Sequence, residues 1–161
     1  MNNFQLESFL ASVDLPLLAE SVRKSWGWLE SIRDLRPFAL TLAGDVLLID
    51  RSNAIMFLDT KYGVVERIAS GIDTLRTRLE RREFARSIVR MDLVLEVRSR
   101  QISAKHNQCF AFELSPHVGG LVRTDGVRAV DFRVHLDVLG QLARGLQELP
   151  GGQELMQSRE A

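Results

Sequence analysis

The sequence predicts an α+β fold, an antiparallel sheet built on a central meander and covered by N-terminal, middle and C-terminal helices. The meander is read from Gly44 to Gly63. Val46, Leu47, Leu48 and Ile49 form an apolar run, Arg51, Ser52 and Asn53 break it, and Ala54 to Leu58 form a second run closed by Asp59, Lys61 and Gly63. Asn53 tolerates positive φ, which a tight antiparallel connection needs. Four unbroken apolar residues in the first strand predict a central strand covered on both faces, so helices must lie against the sheet. Phe38 to Leu42 reads as the strand before this hairpin and Val64 to Ile68 as the strand after it, joined by short turns that require no crossover.

The helices follow from spacing. Phe4, Leu6, Phe9, Leu10 and Val13 give a short amphipathic pattern, and Asp14 with Pro16 marks the first turn of a new helix. From there Leu18, Val22, Trp26, Leu29 and Ile32 fall on one helical face, ended by Pro37; of Trp26 and Trp28, only one can lie at its centre. Ile72, Leu75 and Leu79, then Phe84, Ile88, Met91 and Leu95, form a second helical region whose phase slips after Leu79. This predicts two helices, or one kinked helix, with the break near Arg81 and Arg82. Gln108 to Leu114 alternates as a strand with Phe110, Phe112 and Leu114 on its buried side, followed by a loop containing Pro116, Gly119 and Gly120. Val127 to Val134 alternates as a last strand. Leu136, Leu139, Leu142, Leu146 and Leu149 then step as a helix that stops at Pro150, Gly151 and Gly152.

At 161 residues the chain fits one domain, expected over 1–152 with a mobile tail at 153–161, and large enough to bury on the order of 70% of its unfolded surface. Basic and acidic residues balance at 21 each, so net charge names no partner. The single Cys109 cannot close an internal disulfide, and the N-terminal segment carries Glu7 and Asp14 where a secretory signal would be apolar. With no run approaching a membrane span, a cytoplasmic bacterial protein is the expectation.

The chemistry-bearing residues yield no catalytic set, and neither a cofactor site nor a metal site is predicted. His106 and Cys109 have ligand spacing, but no second donor pair accompanies them. Cys109 sits inside an apolar strand, where a thiol is inert. Asp45, Asp50 and Asp59 fall at the ends of the hairpin strands, where aspartate serves turns. Arg76, Arg78, Arg81, Arg82, Arg86, Arg90, Arg98 and Arg100 suggest a phosphate-binding patch, yet Arg76 with Glu80, Glu83 with Arg86, and Glu96 with Arg100 stand at helical pair spacings. No Walker or dinucleotide fingerprint occurs. What remains is recognition by a surface.

Several short stretches, in order, carry a resemblance. They are Trp26 to Leu29, Gly44 with Asp45, Phe57 to Asp59 with Gly63, Gln108 to Phe110, Gly119 with Gly120, His135 with Leu136, Gly140 to Leu142, and Leu149 to Gly151. The chain resembles the immunity proteins that neutralise DNase effectors of the bacterial type VI secretion system. It departs from their pattern at Asn107, where a glycine usually precedes the Gln-Cys step, in a loop poorer in proline, and at Thr124 to Gly126, where a Glu-Asn pair is common. The resemblance implies a non-enzymatic inhibitor that binds a cognate effector in the cytoplasm, a nuclease in that family, without contacting nucleic acid or membrane itself. Carboxylates suit a surface that occludes a phosphate-receiving active site. Asp45, Asp59, Glu66, Asp73 and Asp125 are accordingly the toxin-binding candidates, expected to be exposed, with steric capping away from the catalytic groups equally open. The rival readings are a ligand-binding or enzymatic module using the hairpin aspartates, and a nucleic-acid-binding module using the arginine-rich helices.

Overall fold

A computed structural model of the chain describes residues 4–113 and 123–150. Among them, the strands β1 (Arg36–Leu40), β2 (Val46–Ile49), β3 (Ile55–Asp59) and β4 (Val64–Ala69) form a four-stranded antiparallel sheet in that order, and β5 (Gln108–Glu113) pairs with β6 (Arg123–Asp131) as an antiparallel ribbon. The helices are α1 (Leu15–Trp26), α2 (Ile72–Leu79), α3 (Arg82–Ile88), α4 (Met91–Ser99) and α5 (Phe132–Glu148), with single 3-10 turns at Leu6–Phe9 and Glu30–Ile32. The expected α+β class and the meander are both present.

Alternation along the strands divides the core into two layers. Ala39, Leu47, Ile55, Phe57 and Ile68 face one cluster, which holds Leu75, Ala85, Val94, Phe110 and Phe112. Leu40, Val46, Leu48 and Leu58 face the other, with Leu18, Val22, Trp26, Phe132 and Leu136. The sheet is thus sandwiched between the middle helices and the α1–α5 pair. The apolar run of β2 is buried on both sides, as its sequence requires.

The turns follow their residues. Asp50 Oδ1 accepts from the backbone N–H of Ser52 and Ala54, and Asn53 takes the left-handed conformation at φ 66°. Asp14 caps α1 by accepting from Leu17 N at 3.1 Å, with Pro16 in the first turn. Trp26 is fully buried and its Nε1–H donates to Leu136 O at 3.1 Å, whereas Trp28 covers the border, its ring centroid 5.8 Å from that of Trp26.

Several boundaries differ from the sequence expectation. The helical face running to Ile32 is interrupted at Gly27, and Leu29 precedes a separate 3-10 turn that ends at Ile32. β1 begins at Arg36 and includes Pro37, which is tolerated because β1 is an edge strand and its register shifts there. The middle region is three helices. The break at Arg81 stands where the phase slips, but a second break occurs at Arg90, a non-glycine residue at φ 51°. The strand expected over Val127–Val134 runs instead over Arg123–Asp131, because Asp131 caps a helix that begins at Phe132. The loop with Gly119 and Gly120 and the tail at 153–161 lie outside the described residues, as does Leu114. Both faces of β5 are covered: Phe110 and Phe112 face the middle helices, and Cys109 is buried on the α5 side.

The largest difference concerns α5. Its buried residues are Phe132, His135, Leu136, Gly140 and Ala143, and the expected leucine stripe is only half right, since Leu142 and Leu149 are exposed. Small residues occupy the interface because α1 and α5 approach closely. A Cβ on Gly140 would stand 2.4 Å from the carbonyl oxygen of Ser25. The larger apolar side chains are therefore displaced to the outer face.

Candidate functional site

The turn from β1 to β2 and the end of β3 bring ionisable groups together beneath α5. Gly44 turns the chain at φ 88°, and Asp45 follows it with no exposed surface. Asp45 Oδ1 accepts from Thr60 N at 2.9 Å and lies 3.0 Å from the Thr60 hydroxyl, which also lies 3.0 Å from Gly44 O. His135 reaches over from α5, its Nε2–H donating to Gly44 O at 3.2 Å. Hydrogen-bonding thus fixes the Nε2–H tautomer. The approach is so close that a Cβ on Gly44 would be 2.1 Å from His135 Nε2.

Asp59 extends the cluster. Its Oδ1 accepts from Lys61 N at 3.0 Å, and its Oδ2 pairs with Arg90 at 3.2 Å, both side chains being largely buried. This pair explains why Arg90 sits in the left-handed region between α3 and α4: the ion pair ties that corner to the sheet. Burial and the neighbouring Asp45 charge push the Asp59 carboxyl up to about 6, against the lowering effect of Arg90 and Lys61. Burial lowers the Lys61 ammonium and the His135 imidazolium, favouring neutral His135. It also pushes the Cys109 thiol up to about 12, which leaves that sulfur unreactive. Asp45 Oδ2, Lys61 Nζ and Arg90 Nε are buried without a hydrogen-bond partner among the described residues.

Above the cluster, between α5 and the β5–β6 ribbon, lies a cavity of about 220 Å³ walled by Lys61, Ala111, Phe112, Arg128, Val130, Val134, His135, Val138 and Leu139. Its walls are apolar and basic, with no carboxylate. Its rim continues as an exposed stripe on α5, where Val134, Val138 and Leu142 recur every four residues at 60%, 50% and 54% exposure. A larger groove of about 490 Å³ between α1 and β1 mixes Glu20 with Arg23, Arg33 and Arg36.

The five candidate acids do not form one surface. Asp45 is buried, contrary to the expected exposure, because its carboxylate satisfies the backbone and hydroxyl of Thr60. Asp59 is occupied by Arg90 and mostly buried. Glu66 on β4 and Asp73 in the first turn of α2 are exposed. Asp125 lies on β6, and its side chain is outside the description. Of the hairpin aspartates, Asp45 and Asp59 come together whereas Asp50 remains in its own turn, and neither of the converging pair lines the cavity. The sequence does not mark Lys61, Arg90 and His135 as partners for them. The only hint lies in Lys61 following Asp59 within a tight turn.

The arginine-rich middle is largely engaged within the fold. Arg76 pairs with Glu7, Arg86 and Arg82 with Asp92, and Arg100 with Glu96 at 3.3 Å, the last being the helical pair its spacing suggests. Arg78 donates to Ile68 O and covers the Phe84 ring, and Arg98 donates to Ser8 O beside Phe9. His106 Nδ1 stands 2.9 Å from the Ser12 hydroxyl, apart from Cys109, and among the described residues no group of three or more His, Cys, Asp or Glu is placed to hold a metal ion. No described helix is long and apolar enough to cross a membrane.

Asn107 joins three segments just before β5. It takes φ 63°, its backbone N–H donates to Ser12 O at 2.7 Å, its side-chain oxygen accepts from Asp14 N at 2.9 Å and its carbonyl accepts from Phe132 N at 3.0 Å. A position that ties three segments together in the left-handed region suits glycine or asparagine and little else.

No curated protein matches the chain. A family model does, over residues 69–143, the stretch from the end of β4 through the middle helices and the β5–β6 ribbon into α5; the resembling stretches before Ala69 and after Ala143 lie outside it. Its description is "T6SS immunity protein Tdi1, C-terminal", and over these residues, just under half of the chain, the sequence is similar to that type VI secretion immunity family.

Proposed function

We propose that this protein neutralises a cognate type VI secretion effector, a DNase, by capping it through the outer face of α5. The observation that carries this reading is the exposed row of Val134, Val138 and Leu142, all within the family-matched residues 69–143. Exposed apolar side chains in register along one helix are what a partner buries, and isolated ones would call for no explanation. The middle of such an interface contributes affinity, while flanking charge steers encounter. Glu66 and Asp73, both exposed, fit the steering role. Asp125 belongs with them as a candidate, while Asp45 and Asp59 act from beneath, by fixing the β1–β2 turn and the Arg90 corner. The inhibitor performs no chemistry and works in the cytoplasm, where the effector would otherwise cut the cell's own DNA.

The test is to co-express this chain with the protein encoded beside it, purify one through a tag on the other, and follow plasmid degradation by the neighbour. Co-purification with loss of cleavage supports the reading. A neighbour that cuts DNA equally well in the presence of excess protein overturns it.

A further inference from the structure

We propose that the cavity between α5 and the β5–β6 ribbon binds a monocarboxylate carried on a short apolar chain, with the carboxylate seated on Lys61 Nζ. An ammonium has three donors and no acceptor function, and Lys61 Nζ is shut off from bulk water with no hydrogen-bond acceptor among the described residues. Of the acids near it, Asp59 is engaged through both oxygens, by Arg90 and the backbone of Lys61, and Asp45 is bonded through Oδ1 only, to Thr60, its Oδ2 making no hydrogen bond to Lys61 Nζ. The ammonium lies over the Phe112 ring, 5.2 Å from its centroid, which orients it without supplying an acceptor.

The rest of the cavity defines the ligand. Val130, Val134, Val138 and Leu139 make an apolar wall, and Arg128 adds a second cation at the exposed side. No carboxylate stands in the walls to compete for an anion. His135 is held by Gly44 through Nε2, and its ring lines the same cavity. A volume of about 220 Å³ suits a chain of several carbons and excludes a nucleotide. A buried ammonium left without an acceptor is costly, so an incoming carboxylate gains both its own charge-assisted hydrogen bonds and relief of that cost.

The probe is sodium octanoate, titrated into the full chain and followed by calorimetry and by the methyl resonances of Val130, Val134 and Val138, with 1-octanol as the uncharged control. Binding of octanoate at least tenfold tighter than octanol, with those methyls shifting, is the expected result. Lys61→Met removes the charge and keeps the packing of the stem; it should weaken octanoate at least tenfold and leave octanol unchanged. Val138→Trp fills the half-exposed rim without touching Lys61 and should abolish both, which keeps the test decisive should Lys61→Met fail to fold. Equal affinity for acid and alcohol, no binding by the wild type because Lys61 pairs with Asp45 in solution, or unchanged binding in the variants would each overturn the proposal. The effector takes no part in these titrations, so their outcome is independent of the immunity reading.

Discussion

Replacing the outer apolar row of α5 by polar residues of similar size should abolish inhibition without touching the fold. The perturbation is Val134→Thr, Val138→Thr and Leu142→Gln together. Each of the three side chains is half or slightly more exposed, so each retains about half of its burial free energy for a partner. Full burial of a valine or leucine is worth about 1.5–3 kcal/mol, which makes the remaining share about 1 kcal/mol apiece and about 3 kcal/mol for the three. At 1.4 kcal/mol per decade, the dissociation constant for the effector should rise about a hundredfold. The α5 core is formed by Phe132, His135, Leu136, Gly140 and Ala143, all of them unchanged, so thermal unfolding should shift by no more than a degree or two. Calorimetric titration with the purified effector reads the affinity, and plasmid protection reads the function. A triple variant that binds within threefold of the wild type would refute the assignment of this face.

Three further outcomes follow from the packing. Gly140→Ala should lower stability by about 1–3 kcal/mol in thermal unfolding, because the new Cβ meets the Ser25 carbonyl and overpacking outweighs the gain in helix propensity; a rise in Tm would show that α1 and α5 can separate freely. Asn107→Gly should cost about 1 kcal/mol for the lost bond to Asp14, whereas Asn107→Ala should cost about 1 kcal/mol more, since alanine also pays for the left-handed backbone; equal denaturation midpoints would contradict this. Folding raises the Asp59 carboxyl from 3.8 to about 6, so the folded state takes up a proton between those values. Stability from this group is highest below pH 4 and declines as pH rises to 6, by on the order of 3 kcal/mol. His135 acts in the opposite sense, its lowered imidazolium costing stability as pH falls below 6.5, so the test compares wild type with Asp59→Asn, both carrying His135. The variant should lose the decline between pH 4 and 6, and parallel urea-stability profiles would contradict the shift.

The meander was legible because turn chemistry is local. Asp50, Asn53 and Gly63 each do in the structure what their residue type permits, and the all-apolar β2 run had to be covered on both sides. The break at Arg81 was legible from phase, but the one at Arg90 was not, because an arginine held in the left-handed region by a carboxylate 31 residues away leaves no local mark. The buried face of α5 is hidden for a related reason. Large apolar residues signal a core face, yet the face that meets α1 is made from Gly140 and Ala143, and only the closeness of two helices reveals why. Charge and position along the chain are all that the sequence shows of the candidate acids. Burial depends on the fold, and it removed Asp45 and most of Asp59 from the surface while bringing Lys61 and His135 to them.

The most direct measurement is a methyl-resolved NMR titration of this chain with its effector. The outer-face reading predicts large shifts or broadening at Val134, Val138 and Leu142, with Val64, exposed on β4 two residues from Glu66, left unperturbed. Perturbation at Val64 with the α5 methyls unmoved would contradict it and place the effector on the β4 edge of the sheet instead.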